Sequence, residues 1–402
     1  MSEAVQTIQP QQELEQEQTF QSRNVIAIAA AHATHDTFTG FLPPLLPILI
    51  ENLSMTKTTA GLLTIFMRIP SLFQPLIGYL ADHYNLRILV MLAPAVSAIL
   101  MSLVGVAPDV IFVALLVFFA GISSASIHAV APVITGRLSG NTLGRGMSFW
   151  MVGGEFGRVL GPLVIVLAIE QFTLEKSPWV MALGIITSMM LYFVLKDLPV
   201  EIKPKSSAGA EFSSVIKKMN AFMLPLLLLM LLRSLLFAGS TMFLPTYLSE
   251  RGDGLLFSGA ALSVLEGAGI LGAMLGGSVS DKWGRRSIIG FSIFATPIFT
   301  YLFLNSNGYF SMIWLAFIGF SMLCITPAIM AMVQENFKED RSLANGLFMA
   351  VNFITSSIGV YIIGKLGDNL GLQTAISIGA ISMIISLPVI FFLPGNKKTI
   401  SE

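Results

Sequence analysis

Six ionisable residues sit near the middle of long apolar stretches: Asp36, Arg68, Glu155, Arg158, Arg233 and Glu266. A charged side chain at the centre of a bilayer costs about 3 kcal/mol even on a lenient insertion scale, so it faces a partner or a water-filled cavity and marks a path for protons, ions or substrates. Three acids stand against three bases, and mutual pairing can neutralise them. Glu155 and Arg158 are three apart, on one helical face, and read either as a local pair or as a coupling and substrate-binding pair. Arg68 and Glu266, 198 positions apart, read equally as a structural bridge or as functional groups. Arg233 is the candidate contact for an anion or substrate. His32, His35 and Asp36 fall at i, i+3 and i+4, on one side of a helix. Asp36, with His35 beside it, is a second candidate for proton coupling. His32 and His128 read as packing or hydrogen-bonding residues. Two histidines and an aspartate on one helix can hold a cation, but the set lacks a fourth ligand, so no metal site and no cofactor are expected.

The elements that carry these residues must be membrane helices. Apolar residues are 54% of the 402 and charged residues 11%, where a soluble domain carries roughly 25% charged. Mean hydropathy is +0.78, and that much apolar surface requires lipid as its solvent. The net charge of zero argues against a nucleic-acid partner. Cys324 is the single cysteine, so no disulfide forms within the chain. There is no H-E-x-x-H, no G-x-S-x-G and no phosphate-binding loop, so neither an enzyme nor an ATP-driven pump is expected.

With about 20 apolar residues needed per crossing, roughly twelve spans can be placed. They start near Asn24, Thr59, Ile88, Asp109, Gly144 and Pro178, then near Ala221, Leu255, Ser287, Gly308, Ser342 and Gly371. Residues 1–22, rich in Gln and Glu, read as a disordered tail without the basic start and cleavage site of a signal peptide. Residues 23–200 then form one six-helix bundle. The segment 201–219, with Lys203, Lys205, Lys217 and Lys218, is a linker; 220–396 forms a second bundle and 397–402 a short tail. If the N-terminus is cytoplasmic, sixteen Lys and Arg residues fall on the cytoplasmic side and four (Lys57, Lys176, Arg251 and Lys365) on the other. The positive-inside rule therefore puts both termini and the linker in the cytoplasm.

The halves are copies. Gly78-Tyr-Leu-Ala-Asp82-His-Tyr-Asn-Leu-Arg87 and Gly277-Ser-Val-Ser-Asp281-Lys-Trp-Gly-Arg-Arg286 each close an apolar run, and the two aspartates are 199 positions apart. The six-plus-six layout, the basic central loop and the paired Gly-x-x-x-Asp motifs resemble the major facilitator superfamily over about residues 24–394. The second copy is close to that family's loop signature. The first departs from it at Asn85 and Leu86. Gly153-Gly-Glu-Phe-Gly157-Arg-Val-Leu-Gly161-Pro162 is similar to the family's glycine-rich fifth-helix motif, commoner in exporters. Gln74-Pro75-Leu-Ile-Gly78-Tyr79, Val152 to Gly157, Leu160-Gly-Pro162 and Gln334-Glu335 resemble the fosmidomycin-resistance group of drug exporters. The fourth helix departs from that group at Ile127-His128-Ala129-Val130.

The resemblance implies an all-α integral membrane protein with the major facilitator fold, monomeric, in a bacterial inner membrane. It implies secondary transport by alternating access, with protons and a small molecule as ligands. Proton-coupled efflux of a drug-like or anionic compound is the first expectation; proton symport of a metabolite or metallophore, or a non-transporting sensor, are the alternatives. Gly78, Asp82, Gly277, Asp281, Arg285, Gly157, Gly161 and Pro162 are the implied conformational residues. The orientation has a direct check. In a Cys324→Ser background, single cysteines in 201–219 should react only with reagents that reach the cytoplasm, and labelling from outside would invert the topology.

Overall fold

The computed structural model describes residues 20–197, 212–336 and 341–393. The expected tails, 1–22 and 397–402, and the linker, 201–219, lie wholly or largely outside these ranges. The described residues are helical and include no strand. In chain order the first half has α1 (Ser22–Thr39), α2 (Leu42–Asn52), α3 (Lys57–Arg68), α4 (Gln74–His83), α5 (Arg87–Leu103), α6 (Val110–Leu138), α7 (Leu143–Phe172) and α8 (Met181–Leu195). The second has α9 (Phe212–Thr241), α10 (Leu244–Glu250), α11 (Leu255–Trp283), α12 (Arg285–Leu304), α13 (Tyr309–Leu323), α14 (Ile325–Asn336), α15 (Arg341–Leu370) and α16 (Leu372–Ile385). Helix α9 starts inside the segment read as linker, where Phe212, Val215, Ile216 and Met219 already follow helical spacing.

Eleven helical segments among the described residues are long and apolar enough to cross a bilayer. The remaining crossing is split into α1 and α2 by a break at Gly40 and Phe41. The same break recurs between α9 and α10, and both restart on the same three residues, Phe41-Leu42-Pro43 and Phe243-Leu244-Pro245. Proline lacks an N–H and disfavours helix at the residue before it, so it ends one helix and opens the next. Between α11 and α12 the chain turns at Gly284 alone, with φ of 94°, a left-handed value that glycine adopts without penalty. The first copy has no left-handed residue at this turn. There the Asn85 side chain accepts from the Arg87 N–H at 3.3 Å, which accounts for its departure from the motif.

Large apolar side chains cover the outer surface: Trp179 is 79% exposed and Phe310 73%. Water would penalise such patches; lipid does not. Helices α3, α7 and α2 of the first half pack on α15, α11 and α10 of the second. At one end the halves share a continuous core containing Phe41, Leu45, Val166, Phe243, Tyr247 and Leu262. There a Cβ on Gly61 would touch Val360, and one on Gly364 would lie 2.8 Å from the Lys57 carbonyl. Toward the other end the halves part. Gly78, farther along the same span as Gly61, has open space where a Cβ would go. Val25, Ile28, Val90, Trp150 and Leu195 form a separate core belonging to the first half.

The closed end is latched by polar groups. The Asp368 carboxylate accepts from the N–H of Lys57 at 2.7 Å, the N–H of Thr58 at 2.9 Å and the Thr58 hydroxyl at 2.5 Å. It therefore caps the N-terminus of α3 from the opposite half, where free N–H groups and the helix dipole favour an anion. Lys57 Nζ also meets Glu250 Oε1 at 2.7 Å. Asp368→Ala should loosen this end. A cysteine at Thr241 in the cavity should then label several-fold faster from the latched side, and an unchanged rate would show that apolar packing alone holds it shut.

Candidate functional site

The inner wall of the first half is set by how closely α1 approaches α7. Gly153, Gly157 and Gly161 recur every four residues on α7 and face Ala29, Ala33 and Thr37 on α1. A Cβ at Gly153 or Gly157 would collide with the Ala29 or Ala33 carbonyl, and one at Gly161 would lie 2.6 Å from the Thr37 carbonyl. Gly154 leaves room for the His32 ring, which a Cβ would strike. The His32 ring then stacks on Trp150 with centroids 3.5 Å apart.

This packing gathers three donors from two helices. His32 Nε2 lies 3.4 Å from Asp36 Oδ2, His128 Nε2 lies 3.8 Å from Asp36 Oδ1, and the two Nε2 atoms are 3.2 Å apart. His32 Nδ1 is 2.9 Å from the Trp150 carbonyl, and His128 Nδ1 is 2.8 Å from the Ser124 carbonyl. A carbonyl only accepts, so each Nδ1 carries the hydrogen and donates. His35 turns the other way, with Nδ1 3.4 Å from the Ala93 carbonyl and Nε2 buried without a partner. Asp36 therefore meets His32 and His128 rather than His35. His32 and His128, read from sequence as packing residues, stand at the centre of the cluster.

The cluster opens on the first of two adjoining chambers, of about 320 and 380 Å³, between the halves. Asp36, His128, Thr64 and Glu266 line the first; Glu155, Met230, Arg233 and Asn352 line the second; Arg68, Arg158, Phe237 and Leu323 line both. The three bases and three acids do not pair one to one. Arg158 holds Glu155 on its own helix and approaches Glu266 of the opposite half, 4.0 Å from its Oε2. The bridge between halves is thus made by Arg158, not by Arg68. Arg233 is 9% exposed and donates from Nη2 to the Met322 carbonyl at 3.0 Å and the Thr326 hydroxyl at 3.3 Å, while its Nε has no partner. Among the described residues, neither Arg68 nor Arg233 has a carboxylate within ion-pair distance.

The second loop motif is held inside its own half. Arg285 meets Asp281 at 2.5 Å and Glu335 at 2.8 Å and donates to the Ser280 hydroxyl. It thus joins the ends of α11 and α14 to the start of α12. Glu335, noted only for a family likeness in Gln334-Glu335, is a partner of the motif. Gly277 has a Cβ position 3.6 Å from Pro327, and Pro162 is buried at the α7–α11 contact, with its carbonyl 3.1 Å from a Cβ on Gly259. The Asp82 side chain lies outside the described ones. The latch of Lys57, Asp368 and Glu250 escaped sequence reasoning; their only signal was charge at the ends of spans.

The model of the Major Facilitator Superfamily matches residues 28–282 and 254–402. The fosmidomycin resistance protein of Escherichia coli K12 is 24% identical over 382 residues, 92% of each chain. An uncharacterised transporter of the same superfamily from Bacillus subtilis 168, YceJ, is 28% identical over 348 residues, 82% of this chain and 85% of that one. A point mutant of the nucleoside transporter NupG superposes with a TM-score of 0.75 at 15% identity, covering 92% of this chain and 99% of the other. A bacterial homologue of the human lysosomal transporter Spinster gives 0.71 at 16%, covering 92% and 95%.

The loop geometry yields an expectation. Asp281→Asn weakens the Arg285 anchor without adding bulk, so the protein should insert normally and lose transport several-fold in proteoliposomes. Asp82→Asn should be milder, since the first copy is the more degenerate. Wild-type flux in Asp281→Asn would reduce the motif to a relic of the duplication.

Proposed function

The chain belongs to the major facilitator superfamily of secondary transporters, and we propose that it exports a small drug-like or anionic compound by alternating access, driven by protons. The observation that carries the choice of cargo is Arg233. A buried guanidinium without a carboxylate is costly, and this one lines a chamber shared with Arg68 and Arg158. An anionic group there would gain charge-assisted hydrogen bonds, each worth about 1.5–3 kcal/mol. Similarity to the fosmidomycin resistance protein and the glycine-rich α7 support export.

The cycle follows from the shape. With the loop motifs on the cytoplasmic side, the cavity opens inward and loads from within. Opening the other end requires the Asp368 cap and the Lys57–Glu250 pair to break, while the loop ends close as the halves rock. That rotation draws α7 from α11, and with it Arg158 from Glu266. A carboxylate that loses its cation in an apolar bundle takes a proton. Glu266 therefore loads a proton from outside and releases it inside when Arg158 returns, while Glu155, which moves with Arg158 on α7, couples through the change in hydration as the cavity reopens.

One observation favours a second reading, proton symport into the cell. Protonating Glu155 frees Arg158 for an anion, so proton and anion would bind together, whereas exchange requires them to compete. The pH dependence of binding separates the two: affinity falls on acidification for exchange and rises for symport.

The test is flux of a compound panel in proteoliposomes with and without an imposed pH gradient. Glu155→Gln should abolish gradient-driven transport yet keep substrate binding. Arg233→Gln should weaken binding of the transported compound about 10- to 100-fold, the loss of one charge-assisted contact. Full gradient-driven transport in Glu155→Gln removes it as a coupling residue. Unchanged affinity in Arg233→Gln removes the anion contact, and binding without flux in the wild type leaves a sensor.

A further inference from the structure

The His32–Asp36–His128 cluster brings two ring nitrogens and a carboxylate from two helices onto one buried point. Both Nδ1 atoms donate to backbone carbonyls, so in the neutral imidazoles both Nε2 atoms present lone pairs. Those lone pairs face one another at 3.2 Å and face the Asp36 carboxylate at 3.4 and 3.8 Å. Two ring nitrogens and the two oxygens of one carboxylate converge, an arrangement that is repulsive until a proton or a metal cation sits among them. His32 is 4% exposed and Asp36 8%, so bulk water screens this poorly.

The distances suit a particular occupant. Zinc holds histidine nitrogen at about 2.0–2.1 Å and carboxylate oxygen at about 2.0–2.2 Å in a tetrahedron, which puts neighbouring ligand atoms about 3.3–3.4 Å apart. The two Nε2 atoms, 3.2 Å apart, and His32 Nε2 with Asp36 Oδ2, at 3.4 Å, match that edge, and the three ligand atoms all lie within 4.8 Å of one another, so a small rotation of the Asp36 carboxylate closes the set. Donation of the second ring nitrogen to a carbonyl is the usual outer-shell support of a metal-bound histidine, since it fixes tautomer and orientation. His128 takes the place of His35, which turns away, as the third protein ligand. Asp36 and His128 both line the chamber, which leaves the fourth position facing the cavity. Of the charged groups on that chamber, Arg158 would oppose a cation, but it is engaged with Glu155 and approached by Glu266. Arg68, on the same wall, is the remaining opposing charge.

We propose that His32, Asp36 and His128 form a binding site for a single first-row divalent metal ion, zinc being the fitting case, with an open fourth position on the transport cavity. The inference does not depend on export, on proton coupling or on the cargo of the transporter.

The test uses tag-free, full-length protein in detergent, stripped with chelator and titrated with Co²⁺. One equivalent should bind with the intense visible absorption of four-coordinate cobalt, and Zn²⁺ should displace it. His128→Gln and Asp36→Asn should each weaken binding at least tenfold. His35→Gln should leave it unchanged, since the His35 ring turns away from the cluster. His128 is only partly buried, so its variant keeps the test sound if Asp36→Asn fails to fold, and elution as a monodisperse peak checks each protein. Wild-type protein that binds no Co²⁺, that binds it with the weak spectrum of six-coordination, or that binds it equally after both substitutions overturns the proposal. Because binding is read without flux, its failure is distinct from failure of the transport reading.

Discussion

Backbone-to-backbone contact between α1 and α7 is the constraint on which the cavity depends. Lipid tails are as apolar as leucine, so helices in a bilayer gain little from hiding apolar side chains from one another and associate through close packing. Gly153, Gly157 and Gly161 let the two helices approach until any Cβ would collide with a carbonyl. At that separation His32 slides over Gly154 onto Trp150, and Asp36 is aimed at His128. On the same helix Glu155 and Arg158 project into the space between the halves. A motif recognisable by its glycines thus acts by setting a distance, and the ionisable groups take their positions from it.

The second governing term is electrostatic. Six charges enter an apolar interior in equal numbers, yet geometry distributes them unequally. Arg158 collects the two glutamates, Asp36 falls among histidines, and Arg68 and Arg233 keep no carboxylate. Full mutual neutralisation would give a stable bundle with little reason to bind anything. The surplus at Arg233, held by one carbonyl and one hydroxyl, is the kind of buried imbalance that a ligand corrects.

Duplication explains why such imbalance survives. The scaffold is repeated closely: Gly121 packs against the Met67 carbonyl as Gly319 packs against that of Leu265, both pairs 198 positions apart. The Phe-Leu-Pro break is repeated as well. The chemistry is not. The residues after Met67 and Leu265 are Arg68 and Glu266, opposite charges at equivalent places. Similar frames that pack at one end and part at the other can exchange which end is closed, while their unlike side chains make the two chambers chemically distinct.

The sequence alone determined the membrane class, because no water-soluble fold hides so much apolar surface. It determined the duplication, because a repeat offset is visible without coordinates, and it exposed the intramembrane charges. The i, i+4 relation of His32 and Asp36 was legible too, since one turn of one helix fixes it. Four facts required the tertiary structure: that His128 completes that pair from 92 positions beyond Asp36, that Arg158 rather than Arg68 reaches Glu266, that Glu335 anchors Arg285, and that Asp368 caps α3. Each joins different helices. Local periodicity specifies which face of a helix a residue occupies. It leaves open how that helix is rotated and how closely its neighbour approaches, and those were set here by where small residues let backbones touch.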